Sequence, residues 1–77
     1  MQIHLTISTL PTADGKFLPK FQFCEIEGAS LTTISYHFGA ESIQKTKEKA
    51  LMIAKDKGIR EANDRYGKEA NIIIKEN

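Results

Sequence analysis

Small residues recur at every fourth position of the stretch from Glu41 to Tyr66. The repeat consists of three alanines and one glycine, namely Ala50, Ala54, Gly58 and Ala62. Because residues four apart lie on the same side of an α-helix, this spacing predicts one long helix whose small side chains share a face. A helix with such a face must lie very close to its packing partner, so the pattern describes packing and not chemistry.

The ends of this helix have candidate capping residues. Ser42 or Thr46 is the candidate N-cap, since short hydroxyl side chains accept hydrogen bonds from the first free backbone amides. Gly67 suits the position just after the last turn. A helix of about 24 residues would be ~36 Å long, whereas a strand of about seven residues spans ~23 Å. The mismatch predicts either a break near Gly58 or a helix end that projects beyond the sheet.

Alternating apolar and polar residues predict a first strand over residues 2–8, with its three aliphatic side chains on one face. Asp14-Gly15 predicts a turn after it, because both residues tolerate positive φ. Pro11 and Pro19 flank this turn. Since proline has no backbone N–H, they predict that strand pairing near the turn is interrupted or lies on an edge.

Residues 21–27 and 31–38 are predicted to form a second hairpin around a two-residue turn at Gly28-Ala29. Counting outward from that turn fixes the opposed residues. The predicted pairs are Glu27 with Ser30, Ile26 with Leu31, Cys24 with Thr33, Phe23 with Ile34, and Phe21 with Tyr36. This register matches aromatic residues with aromatic or aliphatic partners, and such cross-strand pairs stabilise a sheet.

Residues 70–74 are predicted to form a short last strand, whose three consecutive isoleucines indicate burial on both faces. The resulting β-β-β-α-β order predicts one α+β domain over residues 1–77, with a mainly antiparallel sheet of about four strands and one long helix packed on one face. Phe21, Phe23, Tyr36 and Phe38 share a face of the sheet, and we expect the helix to cover it because aromatic rings bury the most apolar area.

A chain of 77 residues is marginally stable on its own, since it buries only ~60% of its unfolded surface. Cys24 is the only cysteine, which excludes a disulfide and, with just two histidines in the chain, makes a structural zinc site implausible. Self-association is the stabilising device left, so a homodimer is predicted. A lone cysteine fits a reducing, cytoplasmic setting. Neither a signal peptide nor a membrane-spanning run is expected from the apolar pattern.

Few residues offer catalytic or ligand-binding chemistry. Cys24 and His37 share a predicted sheet face, but four positions along the ladder separate them by ~13 Å, too far for a nucleophile and its base. A pair of Cys24 with His4 stays open, because the register of the first strand is not fixed. Gly39 precedes the helix without the glycine pattern of a phosphate-binding loop. The sequence therefore predicts no enzymatic activity, no metal site and no cofactor.

Two surfaces are candidates for binding a protein partner. One is the sheet face opposite the aromatic face, and the other is a stripe along the side of the helix whose members fall seven residues apart. The sheet surface comprises Cys24, Ile26, Leu31, Thr33 and Ser35, and the helix stripe comprises Met52, Ile59 and Tyr66. The spacing of the stripe also fits isolated apolar residues on a surface, which are common.

The predicted function is a small, non-catalytic protein-interaction or regulatory module that self-associates. The alternative is a nucleic-acid-binding regulatory protein, in which the lysines of the helix attract a strand toward the sheet aromatics or the uncovered face. A helix that reads nucleic acid clusters its basic residues on one side. In this chain, acidic residues interleave with the basic ones, which favours the protein-interaction module.

Overall fold

The computed structural model of this protein describes residues 2–27, 30–68 and 70–77, apart from the surroundings of side chains 26, 27 and 30. Its elements are β1 (Gln2–Pro11), β2 (Phe17–Glu27), β3 (Ser30–His37), a short 3-10 helix (Ala40–Ser42), α1 (Lys47–Tyr66) and β4 (Asn71–Glu76). The strands form one sheet in the order β3-β2-β1-β4. β4 is parallel to β1 and the other pairs are antiparallel, so the predicted α+β fold and its element order are confirmed.

The first hairpin is longer than the sequence predicts, since β1 and β2 pair without a break as far as Pro11 opposite Phe17. The ladder with β4 ends at Ile7, and the ladder with β3 ends at Lys20. Pro11 and Pro19 therefore lie in the part of the hairpin that extends beyond the four-stranded sheet. There each strand has no ladder on its outer side, so the missing proline N–H removes no hydrogen bond to a third strand. The prediction that these prolines lie on an edge is confirmed, and the alternative prediction that strand pairing is interrupted near the turn is wrong.

The turn of this hairpin is built around Thr12 and Gly15. Gly15 has a φ of 78°, a value that favours glycine. The Thr12 hydroxyl accepts a hydrogen bond from the Lys16 N–H at 3.0 Å and donates one to the Asp14 carboxylate. The predicted Asp14-Gly15 turn is therefore confirmed.

The second hairpin has the predicted register. Phe21 lies opposite Tyr36, Cys24 lies opposite Thr33, and the other predicted pairs are observed as well. The Gly28-Ala29 turn itself lies outside the described residues. Because directly opposed residues point to the same side of a sheet, this register settles which β2 and β3 side chains share a face.

The helix begins at the late end of the range that the sequence leaves open, which runs from Glu41 to Thr46. Gln44 exchanges two backbone hydrogen bonds with Phe17, each 2.9 Å long, which holds the segment before α1 against β2 in an extended conformation. The Thr46 hydroxyl accepts a hydrogen bond from the Lys49 N–H at 3.3 Å and is the N-cap. Of the two candidate caps, Thr46 is therefore the observed one and Ser42 is not.

The helix is continuous through Gly58 and ends before Gly67, whose φ is 80°. Its 20 residues span ~30 Å, and the 10 residues of β1 span ~33 Å. Helix and strands thus have similar lengths. The predicted break or projecting end is wrong, because the helix is shorter and the first two strands are longer than expected.

The core lies between α1 and the two central strands. Ala50, Ala54, Gly58 and Ala62 are buried on the helix side, as the small-residue repeat predicts. Opposite them on the sheet lie the buried side chains of Ile3, Leu5, Ile7, Phe21 and Phe23. The helix therefore lies on the aromatic face, as expected, and covers the part of it that β2 supplies.

β4 is an edge strand and not a strand buried on both faces. Ile72 is half-buried against the core, whereas Ile73 and Ile74 are exposed. The helix packs over β1 and β2 and leaves both edges of the sheet largely uncovered. The prediction of two-sided burial for these isoleucines is wrong, because the run of apolar residues carries no information on where the strand sits in the sheet.

Candidate functional site

One face of the sheet has no helix over it in the part of the chain that the structure describes, and we call it the open face. Its residues follow from the register, since the helix-facing positions alternate with it along every strand. The open face comprises Gln2, His4, Thr6 and Ser8 of β1, Lys20, Gln22, Cys24 and Ile26 of β2, Leu31, Thr33, Ser35 and His37 of β3, and Asn71, Ile73 and Lys75 of β4. These positions include two lysines and no carboxylate.

The five sheet residues that the sequence nominates all belong to the open face. Leu31 is 67% exposed, and Thr33 and Ser35 are exposed beside it on β3. Cys24 is a half-buried free thiol on β2. Ile26 lies opposite Leu31 in the register. The fold thus brings these residues together across two neighbouring strands.

The three helix residues that the sequence nominates do not form one exposed stripe. Met52 is exposed, but Ile59 and Tyr66 are half-buried and pack against the core. A surface seam along the helix would therefore consist of Met52 and its polar neighbours. Whether a partner binds there stays a prediction.

Cys24 and His4 lie directly opposite each other on β2 and β1, so the pair that the sequence leaves open is adjacent in the register. Both belong to the open face, and both are half-buried. Among the described residues, no group of three or more His, Cys, Asp or Glu side chains is placed to hold a metal ion.

An open cleft of about 300 Å³ lies between β3 and the C-terminal half of α1. Phe23, Ile34 and Tyr36 form its apolar floor, and Glu61, Asp64 and Arg65 line its helix side. Tyr36 stacks on Phe21 with ring centroids 4.8 Å apart and yet is 37% exposed. The sequence places Tyr36 in the core and does not reveal this cleft, because the helix reaches β2 and not β3.

Glu25 ties the C-terminal end of α1 to the sheet. The Arg65 Nε donates a hydrogen bond to a Glu25 carboxylate oxygen at 3.3 Å, and the Tyr66 hydroxyl donates to the same oxygen. Glu61 forms an ion pair with Lys57 at 3.2 Å, so it is not paired with Arg65 as helical spacing alone suggests. These contacts fix the wall of the cleft that α1 supplies.

Burial raises the pKa of the Tyr66 phenol above its ordinary value, and its hydrogen bond to Glu25 raises the pKa further. The folded state therefore keeps this proton at pH values where the unfolded chain has lost it. The stability that follows is fully present below the ordinary tyrosine pKa of ~10 and is lost as the pH rises through the folded-state pKa. We expect the absorbance titration of Tyr66 in the folded protein to have its midpoint above that of the chain unfolded in denaturant.

The chain has two tyrosines, so a Tyr36→Phe variant isolates this titration. Adding Glu25→Gln to that variant removes the carboxylate and should lower the midpoint, while burial keeps part of the shift. A folded-state midpoint equal to or below the midpoint in denaturant would contradict the contact between Tyr66 and Glu25.

No protein-family model, curated protein or solved structure matches this chain. No helix within the described residues is long and apolar enough to cross a membrane.

Proposed function

We propose that this domain is a small, non-catalytic protein-interaction module that self-associates as a homodimer. The observation that supports it is the one-sided cover of the sheet. A helix lies on one face only, and the open face and the β3 edge are left to solvent with exposed apolar side chains such as Leu31 and Tyr36.

The size of the core supports the same proposal. Four of the core positions on the helix are alanine or glycine, so the helix contributes little apolar volume. Burial of apolar surface against a second copy would add stabilisation at roughly 25 cal/mol per Å². The single cysteine is in keeping with a cytoplasmic module.

The charge of the open face supports a second candidate, a nucleic-acid-binding regulator. Lys20, Lys75 and two histidines occupy positions on this face without a carboxylate among them. The aromatic rings of β2 and β3 point to the helix side, so stacking on bases, the usual mode on a sheet, has no ring on the open face. This absence makes the protein-interaction module the better supported function. Salt-sensitive binding of a labelled oligonucleotide, lost in Lys20→Glu, would reverse that order.

Self-association is tested by the molar mass in solution as a function of concentration. We expect light scattering or sedimentation equilibrium to give a mass rising from the 8.6 kDa of one chain toward twice that value. Leu31→Lys should weaken the association, because it places a charge in an exposed apolar position of β3. The matched control is Leu10→Lys, which changes another exposed leucine far along the first hairpin and should leave the mass unchanged.

A mass that stays at that of one chain up to the highest soluble concentration would refute the self-association. Equal effects of the two leucine variants would show that the second copy binds away from β3.

A further inference from the structure

β3 is an edge strand without the usual protection. No described strand pairs with its outer side, and its eight residues, Ser30–His37, contain no Asp, Glu, Lys, Arg or Pro. Its ladder with β2 runs from one end to the other without a bulge. Natural sheets block such edges with charges, prolines or bulges, because an unpaired row of N–H and C=O groups is a template for another strand.

The other edge of the sheet differs in this respect. β4 is shorter than β3 and carries Lys75 and Glu76. Charged residues on an edge strand disfavour the approach of a second edge. The two edges of this sheet are thus unequal, and β3 is the one suited to pairing.

The cleft beside β3 offers apolar surface that a strand paired with β3 would bury. Ile34 is half-buried and Tyr36 is exposed along the outer margin of the cleft floor. A strand added to β3 would place every second side chain over this floor, next to the helix wall. Apolar and β-branched side chains are therefore favoured on the helix-facing side of the added strand.

The chemistry of β3 identifies its partner as a second copy of β3. Its helix-facing residues Thr32, Ile34 and Tyr36 are themselves the β-branched and aromatic side chains that the cleft favours. A strand without Asp, Glu, Lys or Arg also meets no permanent like charge in its own copy. The helix wall beside the cleft carries Lys57, Glu61, Asp64 and Arg65, two charges of each sign, so two copies approach without net repulsion.

We propose that the self-association inferred above occurs by antiparallel pairing of β3 with β3 of a second copy, which joins two four-stranded sheets into one sheet of eight strands. This inference rests on the proposed self-association and specifies its surface. A two-fold axis perpendicular to the sheet relates the copies, so both α1 helices lie on the same side and the two clefts adjoin. Directly opposed residues point to the same side of the sheet. The two-fold axis therefore passes between one residue of β3 and the identical residue of the second copy. Pairing of nearly the whole strand places either Thr33 or Ile34 there.

Disulfide trapping tests this geometry. In a Cys24→Ser background, which removes the only cysteine, single cysteines are introduced as Thr33→Cys and Ile34→Cys. A residue that faces its own copy has a Cα–Cα separation of about 4.5–5.5 Å, within the ~4.4–6.8 Å range of disulfides. We expect one of the two variants to form a covalent dimer under mild oxidation. Asn71→Cys, an exposed position on the β4 edge, is the matched control and should stay monomeric in denaturing gels.

A second experiment tests the β3 interface by placing a charge on this edge. Thr33 is exposed on the open face, so Thr33→Lys leaves the core intact, and we expect it to raise the dissociation constant of the dimer by about tenfold or more. Asn71→Lys places the same charge on β4 and should leave the constant unchanged. Circular dichroism of both variants reports whether they are folded.

The outcomes separate this inference from the proposed function. A dimer in solution that forms no disulfide through β3 and is unaffected by Thr33→Lys would refute the β3 interface while the self-association stands. A chain that is monomeric in every variant and in the wild type would refute both.

Discussion

Replacing Phe21 with alanine is expected to lower the free energy of unfolding by about 3–5 kcal/mol. Phe21 is 1% exposed and is the largest of the fully buried side chains. Its ring lies 5.3 Å from that of Phe23, 4.8 Å from that of Tyr36 and 5.8 Å from that of Phe38, measured between centroids. Truncation removes three ring contacts and leaves a cavity between β2, β3 and α1. Urea denaturation followed by circular dichroism measures the loss.

Two variants calibrate this expectation. Leu10→Ala truncates a large side chain that is exposed and lies far from β3, so its effect should stay within about 0.5 kcal/mol. Phe21→Leu keeps part of the volume and should fall between the two alanine variants. If Phe21→Ala were as stable as Leu10→Ala, the aromatic residues of β2 and β3 would not form the core.

Replacing Gly58 with valine is expected to destabilise the domain by about 1–3 kcal/mol, the range for overpacked cores. A Cβ atom at position 58 would lie 2.9 Å and 3.0 Å from the two methyl carbons of Leu5. Leu5 is fully buried, so its side chain cannot turn toward solvent and could yield only by displacing its core neighbours. The loss should appear although valine has a higher helix propensity than glycine, because steric overlap with the sheet outweighs a gain of less than ~1 kcal/mol.

A double-mutant cycle with Leu5→Ala tests the assigned cause. That substitution alone should cost about 2–5 kcal/mol, but it removes the atoms that position 58 would meet. The double variant should therefore be more stable than the sum of the single effects predicts, by about 1 kcal/mol or more. Asp56→Val changes an exposed position of the same helix and should show no coupling with Leu5→Ala. Additive effects at position 58 would mean that the helix does not touch Leu5.

The register of the second hairpin and the buried face of the helix follow from the sequence alone. A two-residue turn leaves one way to count outward, and that count places Phe21 opposite Tyr36. In a helix, the four-residue spacing from Ala50 to Ala62 places these small residues on one face. Both features depend on local periodicity, which a sequence displays directly.

Features that depend on distant contacts do not follow in the same way. The segment before α1 is extended because Gln44 bonds to Phe17, and no local pattern in either segment reveals that pairing. The burial of β4 depends on its position at the edge of the sheet, which its three isoleucines do not encode. The first hairpin is longer than the sequence predicts, because a proline beyond the four-stranded region removes no hydrogen bond to a second neighbouring strand.

The candidate site likewise has parts that local periodicity predicts and parts that depend on distant contacts. Alternation along β2 and β3 is sufficient to place Cys24, Leu31 and Thr33 on one face. The cleft beside Tyr36 depends on how far α1 reaches across the sheet, and the β3 edge depends on the order of the strands. The sequence shows that β3 lacks Asp, Glu, Lys and Arg. This composition indicates an unprotected strand only when the strand order places β3 at an edge.

The alanine and glycine face of α1 makes the two layers of this domain unequal in the amino-acid changes they tolerate. Any larger residue at Ala50, Ala54 or Ala62 would push the whole helix away from the sheet, whereas a smaller residue on the sheet leaves a local void. Sequence drift in related chains should therefore be narrow along this face and wide on the outer side of the helix. A close relative would be recognised by the spacing of its small residues more readily than by its overall identity.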